Sequence, residues 1–271
     1  MKKTPDEKTL PPILKWAGGK RWLVPELKKI WANYSDRTLV EPFCGGLAIT
    51  LGLNPKTAIL NDSNSHLINF YHLIQNNILR KPLIEMQNEK ELYYSNRDFF
   101  NRLIEQLSVY PDLERMSWLF YYLNRTGFNG LCRFNRKGEY NVPFGSYKTI
   151  NYQTDFSAYT SAFKLWHFYS CDFEDIDVPE DGFIYADPPY DKSFSKYAKD
   201  DFKWDDQIRL AYWLAEQSVP VVASNLATDR IIELYDNLGF SIQKIEAPRR
   251  ISCNGNRVPA IEILATLNVG G

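Results

Sequence analysis

Residues 187–190, Asp187, Pro188, Pro189 and Tyr190, put an acid, two prolines and a phenol at the end of an apolar run, GFIYA. That set suits one chemical problem well. An aromatic exocyclic amine such as adenine N6 is a weak nucleophile, because its lone pair is spread into the ring. A carboxylate accepting one N–H and a backbone carbonyl accepting the other would localise that pair on nitrogen. Asp187 and the carbonyl of Pro188 can supply the two acceptors. The prolines keep the turn from relaxing into helix, and Tyr190 offers a face on which a base can stack. A strand that merely ends in a proline-rich turn with a surface acid would show the same four letters, so the rest of the chain must decide.

The elements around this turn predict an α/β sheet. The apolar run over 182–186, bounded by Gly and Pro, reads as a buried strand, and ligands in such sheets bind beyond the strands' carboxyl ends. Residues 38–43 predict a second strand, followed by Cys44, Gly45, Gly46, a helix over 47–53 and a strand over 57–61 that ends at Asp62. Asp62 lies 17 residues after Gly45, a layout in which a Gly turn admits a nucleoside and an acid bonds its ribose. Glu41, Phe43, Gly45 and Asp62 are the candidate wall. Without G-x-G-x-x-G, a nucleoside lacking phosphates is the better expectation.

Upstream, ILKWAGGK fails the Walker A pattern, since Lys20 is followed by Arg21 and lacks the upstream Gly. It instead predicts a loop closing over a ligand, with Trp16 giving a flat face and Lys20 a cation. Leu23, Leu27 and Ile30 share a helical face, with Pro25 in the first turn. Residues 166–173 predict a strand ending at Asp172 and Phe173, which could bond and stack a base. Residues 191–204, with Lys192, Ser193, Phe194, Ser195 and Tyr197, suit a lid. A helix over 208–216, a strand over 219–224 and late strands over 241–245 and 260–266 follow. The last two are joined by a loop carrying Arg249, Arg250 and Arg257, a second candidate for phosphate contact.

Between the helix over 65–75 and these later strands the alternation stops. Residues 81–106 are polar and helical in tone, and a helix follows Asp112, which suggests an inserted domain. Residues 124–148 then carry five Lys or Arg (Arg125, Arg133, Arg136, Lys137, Lys148) against Glu139 alone, interleaved with Phe128, Phe134, Tyr140, Phe144 and Tyr147. Lys137 and Gly138 mark a hairpin tip. A basic, aromatic hairpin can hold phosphates and read base edges. The candidate DNA contacts in this stretch are Arg125, Phe128, Asn129, Leu131, Arg133, Asn135, Pro143, Tyr147 and Lys148.

A net charge of −1 excludes a globally basic nucleic-acid binder and leaves a local basic surface open. The four cysteines have no C-x-x-C spacing and the three histidines no metal-binding pattern, so neither a disulfide frame nor a metal site is expected, and a reducing cytoplasm is the natural home. No stretch approaches the roughly 20 apolar residues of a membrane span.

Taken together, LKWAGGK, LVEPFCGG, NDSN, LNRTGFNGLCRFNRKGEYNVPFGSYK, CDF, ADPPY and RRISCNG resemble the Dam family of DNA adenine-N6 methyltransferases. The resemblance implies an α/β, Rossmann-like methyltransferase core (1–70 and 150–271) with a mixed, mostly parallel sheet and a C-terminal antiparallel strand. It also implies an inserted helical target-recognition domain with a β-hairpin (71–149). S-adenosylmethionine would be bound through Trp16, Lys20, Asp62, Asp172, Phe173 and Asp187, giving S-adenosylhomocysteine without a metal. Asp187, Pro188 and Tyr190 would activate and stack a flipped adenine, and Phe128, Asn129, Leu131, Arg133 and Pro143 would read a GATC-like site in double-stranded DNA, with Lys15 at its edge. A monomer is expected, acting alone or paired by function with a restriction endonuclease.

Two positions depart from the family pattern: Leu47 stands where the last Gly of F-x-G-x-G is expected, and Ser146 where some members carry Arg. Two rival readings share parts of the set. A methyltransferase for an RNA amine or a protein glutamine would use a similar turn, and a catalytically silent DNA-binding protein would keep the hairpin and bind no cofactor.

Overall fold

The computed structural model describes residues 9–105, 112–190, 202–248 and 260–270. The chain runs α1 (Val24–Trp31), β1 (Thr38–Glu41), α2 (Ala48–Leu53), β2 (Ala58–Asn61), α3 (Ser65–Gln75), α4 (Lys90–Glu105), α5 (Leu113–Thr126), α6 (Ser157–Ala162) and β3 (Trp166–Tyr169). It continues with β4 (Gly182–Ala186), α7 (Trp204–Ala215), β5 (Val221–Leu226), α8 (Asp229–Asn237), β6 (Ser241–Ala247) and β7 (Ala260–Leu267).

One seven-stranded sheet has the order β3-β2-β1-β4-β5-β7-β6. The first five strands pair in parallel, and β7 runs antiparallel to both β5 and β6. β4 is buried at every residue, as a central parallel strand covered on both faces must be. From β1 the chain moves to β2 and β3 on one side and later returns to β4 on the other. A crevice therefore opens at the carboxyl ends of β1 and β4, the sheet end that carries Asp187.

Local signals explain most boundaries. Pro25 sits in the first turn of α1, where its missing N–H costs nothing. Asn64 caps α3 by accepting from the His66 and Leu67 amides, and Asp112 caps α5 by accepting from the Arg115 amide. The strand expected over 166–173 stops at Tyr169, because Asn61 then takes over pairing: its Oδ1 accepts from Cys171 N at 3.0 Å and its Nδ2 donates to Cys171 O at 3.1 Å. The polar stretch 81–106 is helical only from Lys90.

The α4–α5 segment joins the sheet layer through aromatic packing. Phe70 of α3 stacks on Tyr121 of α5 at 5.6 Å, and the His66 ring lies against Phe100, Phe120 and Phe134. Burial holds the His66 imidazole at about 4, so it packs there uncharged. Beyond α5 the chain forms the expected hairpin path. Phe134 and Tyr140 make an isolated antiparallel bridge, Asn141 N donates to Arg133 O at 3.1 Å, and Gly138 turns with φ of 81°. The hairpin has bridges in place of regular strands.

The lid residues Lys192, Ser193, Phe194, Ser195 and Tyr197, and the basic-loop residues Arg249, Arg250 and Arg257, lie outside the described residues. Among the described residues no helix is long and apolar enough to cross a membrane.

Candidate active site

A cavity of about 900 Å³ occupies the crevice at the carboxyl ends of β1 and β4, within the usual range for a small-molecule site. Asp187, Pro188, Pro189 and Tyr190 all line it, and so do Trp16, Lys20, Glu41, Phe43, Gly45 and Asp62. Segments far apart in sequence thus converge on one space.

The loop before α1 and the turn after β1 fit together through Trp16. A Cβ at Gly45 would come 2.6 Å from the Trp16 indole nitrogen, and one at Gly46 would come 2.7 Å from Trp16 Cβ. The glycines make room for the indole, which forms one wall of the cavity. Gly45 has φ of 43°. Leu47 adopts φ of 57° and ψ of 29°, the left-handed conformation that a glycine would hold without strain. The backbone path of a glycine is therefore kept at this departure from the family pattern, while the leucine side chain is buried.

The acids along the wall differ in their engagement. Asp62 Oδ2 accepts from Gly45 N at 3.1 Å and Oδ1 from Asn64 N at 2.9 Å, so this carboxyl braces the glycine turn as well as lining the cavity. Burial raises it above the usual carboxylate range, against the two amides. Burial likewise pushes Glu41 up to about 8, opposed by Thr50, whose Oγ1 donates to Glu41 Oε1 at 2.8 Å.

Asp187 is largely buried, and burial raises its carboxyl despite two partners at one oxygen. Ser224 Oγ donates to Asp187 Oδ1 at 2.8 Å, and Lys20 Nζ lies 3.2 Å from the same atom. Lys20 also reaches to 3.5 Å from Glu262 and lies 4.4 Å from the centre of the Tyr190 ring. Lys20 is committed to protein carboxylates and does not stand free for a ligand's. Gln207 Nε2 donates to the Pro189 carbonyl at 2.8 Å, whereas the Pro188 carbonyl accepts no hydrogen bond among the described residues. The turn thus presents the acceptors needed to hold an amine, Asp187 Oδ2 and the Pro188 carbonyl.

Asp172 and Phe173 are not brought to the cavity wall. Asp172 caps the short turn Phe173–Asp175 and pairs with Arg209 at 3.0 Å. Phe173 is buried behind Phe43, at 5.8 Å between ring centres, with the Arg209 guanidinium over its face. Sequence reasoning missed Gln207, Ser224 and Glu262, and it missed Arg230 on the cavity wall, whereas Phe202 and Trp204, also on that wall, belong to the segment 191–204 expected to cover the site. The missed residues carry no local motif.

The candidate DNA contacts gather around the hairpin base. Lys15 Nζ donates to the Arg125 carbonyl at 2.8 Å and sits 3.4 Å from the centre of the Tyr147 ring. Burial, and then the Arg125 charge, lower it to about 8. Tyr147 Oη accepts from Asn129 N at 2.9 Å and donates to Gly127 O at 3.1 Å. Arg125 braces the Ile13 and Asn151 carbonyls, and Asn135 closes the hairpin tip by accepting from the Lys137 and Glu139 amides. Arg133 is exposed and leans on Asn141, while Phe128, Pro143, Ser146 and Lys148 are exposed and Leu131 is half-buried. Asn124 ties this surface to the cavity loop: Lys15 N donates to its Oδ1 at 2.9 Å, and its Nδ2 donates to Lys15 O at 2.7 Å.

A cavity lined by the Asp187–Tyr190 turn, in the crevice of a mostly parallel sheet and near a basic hairpin, suits a group-transfer enzyme acting on a base. The profile of the D12 class N6 adenine-specific DNA methyltransferases matches residues 16–251, and the chain belongs to that family. The chain is 36% identical to a DNA adenine methylase of Haemophilus influenzae, over 94% of this chain and 92% of that protein. It is 34% identical to the DNA adenine methylase of Escherichia coli K12, over 95% of each. It is also 34% identical to the type II methyltransferase M.MjaIII of Methanocaldococcus jannaschii, over 91% of this chain and 94% of that protein.

Proposed function

We propose that this adenine-specific DNA methyltransferase uses S-adenosylmethionine, acts on adenine within GATC in double-stranded DNA, and transfers the methyl group directly to a base turned out of the duplex. The observation that carries the proposal is the pair of acceptors, Asp187 Oδ2 and the Pro188 carbonyl, which take no hydrogen bond among the described residues and lie at a cavity large enough for a nucleoside.

The wall suits the cofactor. Trp16 and Phe43 give aromatic faces for a purine, and the Asp62 and Glu41 carboxyls give hydrogen-bonding groups for the cofactor's hydroxyls. S-adenosylmethionine supplies an electrophilic sulfonium methyl: the C–S pair stays on sulfur, the adenine lone pair forms the C–N bond, and one N6 proton leaves to solvent. The protein's part is positional. Asp187 and Pro188 hold the two N–H bonds so that the lone pair points into the cavity, and Tyr190 stacks on the base. Turning the base out costs about a few kcal/mol, which contacts from the exposed residues of the hairpin and its base offset. Holding both reactants in one geometry supplies much of the acceleration. The GATC assignment rests on the likeness of residues 124–148 to the family pattern.

The test is mass-spectrometric analysis of nucleosides from duplexes carrying GATC, each single-base variant, or no adenine, after incubation with S-adenosylmethionine. N6-methyldeoxyadenosine from GATC alone is expected. Equal methylation of all adenine-containing duplexes would overturn the GATC assignment. No methylation of any duplex, with cofactor bound, would turn attention to RNA and protein amines.

A further inference from the structure

The start of β7 breaks the alternation its sequence predicts. In AIEILATL a two-residue period would bury Ile261 and expose Glu262, yet Ile261 is 44% exposed and Glu262 5%. The antiparallel direction of β7 explains where that acid goes. Its register pairs Glu262 with Leu226 at the carboxyl end of β5, on the same side of the sheet as Asp187. Burying a carboxylate while exposing an isoleucine costs stability, and such local conflicts are expected where function overrides packing.

The surroundings of Glu262 say what it does there. Its Oε2 is 3.5 Å from Lys20 Nζ and, among the described residues, is buried without a well-formed hydrogen bond. Tyr190 Oη is likewise buried without one among the described residues. Glu262 lies near enough to help push the Tyr190 phenol upward, after burial and Asp187. Glu262 acts on that phenol both through its charge and through a side-chain hydrogen-bonding contact, so the two groups lie within reach of each other. Lys20 lies beside both residues, 3.2 Å from Asp187 Oδ1 and 4.4 Å from the centre of the Tyr190 ring. One lysine is shared by two carboxylates. If Lys20 had Asp187 alone, the pair would be neutral and the amine would meet an acid already satisfied.

We propose that Glu262 is a positioning residue for methyl transfer: it shares Lys20 with Asp187 and receives the Tyr190 hydroxyl when the base stacks. Asp187 then keeps acceptor charge for the amine, and the Tyr190 ring keeps its angle to the base. The proposal rests on reading Asp187 and Tyr190 as the amine-binding pair.

Among the described residues, the titratable groups that act on Asp187 are Lys20 from the loop before α1, Glu41 from β1, Tyr185 and Tyr190 from β4 and its turn, and Glu262 from β7. Glu262 is among the influences that raise Asp187. Neutralising it must move the acid limb of the rate profile to lower pH, a change that a purely structural role would not produce.

The experiment compares wild type, Glu262→Gln, Tyr190→Phe and the double variant as full chains, in single-turnover methyl transfer to a GATC duplex across pH. Cofactor affinity and melting temperature are measured alongside. Glu262→Gln is expected to slow transfer by about 100-fold, with cofactor affinity and melting temperature unchanged and the acid limb shifted downward. Tyr190→Phe, which keeps the stacking face, is expected to slow transfer by about 10-fold, and the double variant to be no slower than Glu262→Gln alone. A Glu262→Gln rate within about twofold of an active wild type, an unshifted acid limb, or a loss matched by lost melting temperature would overturn the proposal. Independent, multiplying losses in the double variant would overturn the Tyr190 contact. No transfer by the wild type would overturn the amine-binding reading and this proposal with it.

Discussion

The side-chain amide of Gln207 donates to the Pro189 carbonyl at 2.8 Å, while its own carbonyl accepts from Asn225 Nδ2 at 2.9 Å. Gln207 is wholly buried, so α7 and β5 clamp the turn through Pro189, while the Pro188 carbonyl accepts no hydrogen bond among the described residues. Gln207→Leu keeps much of the volume but leaves both partners unpaired. It is expected to slow single-turnover methyl transfer by about 10- to 100-fold and to cost about 1–3 kcal/mol of stability, with cofactor affinity little changed. Rates and chemical denaturation read the two effects separately.

Leu47 couples a left-handed backbone to a buried side chain. Truncating a buried leucine to alanine typically costs about 2–5 kcal/mol. Left-handed geometry costs an L-residue about 1–2 kcal/mol, which only glycine escapes. Leu47→Gly is therefore expected to be more stable than Leu47→Ala by about 1 kcal/mol, the reverse of their usual order in a helix. Denaturation midpoints of the two variants check the order.

Glu41 gives a pH dependence of known sign. Its folded carboxyl titrates at about 8 against the ordinary 4.5. Between those values the folded protein holds a proton that the unfolded chain has released, so this group makes stability fall as pH rises from 4.5 to 8. Glu41→Gln removes that slope. Its stability relative to wild type is expected to be greater at pH about 8 than at pH about 5, as read by denaturation at each pH.

Lys15 titrates at about 8, below its ordinary 10.5, so its charge is lost as pH rises through that value. If it contributes a cation at the edge of the DNA surface, affinity for duplex DNA falls between pH about 7 and 9 more steeply in wild type than in Lys15→Gln. The folded protein gains stability from this group between pH 8 and 10.5, where the unfolded chain still holds the proton. Fluorescence anisotropy with a labelled duplex at constant salt measures the affinity slope.

The strands of the parallel sheet were legible because burial on both faces leaves continuous apolar runs, GFIYA most clearly. The glycine turn and the acid after β2 were legible because backbone geometry restricts which residues serve there. Their use was less so: Gly45 and Gly46 make room for Trp16, a contact between distant segments. Asp172 and Phe173 stand where their motif predicts in sequence, yet Arg209, 37 residues beyond Asp172, binds the acid away from the cavity wall. Gln207 and Glu262 had no signature at all. A buried glutamine inside a helix and an acid flanked by isoleucines both read as solvent-facing, and only the reversed β7 and the packing of α7 reveal otherwise. Helix α8, too, was overlooked, although its Thr228 cap follows the standard start signal.

The most direct measurement is single-turnover methyl transfer to adenine N6 by Asp187→Ala, with cofactor binding measured in parallel. Removing a pre-organised acceptor at the reacting group is expected to cost about 100- to 1,000-fold in rate while the variant still binds S-adenosylmethionine. A rate within about tenfold of wild type would contradict the assignment of Asp187 and Pro188 as the pair that holds the amine.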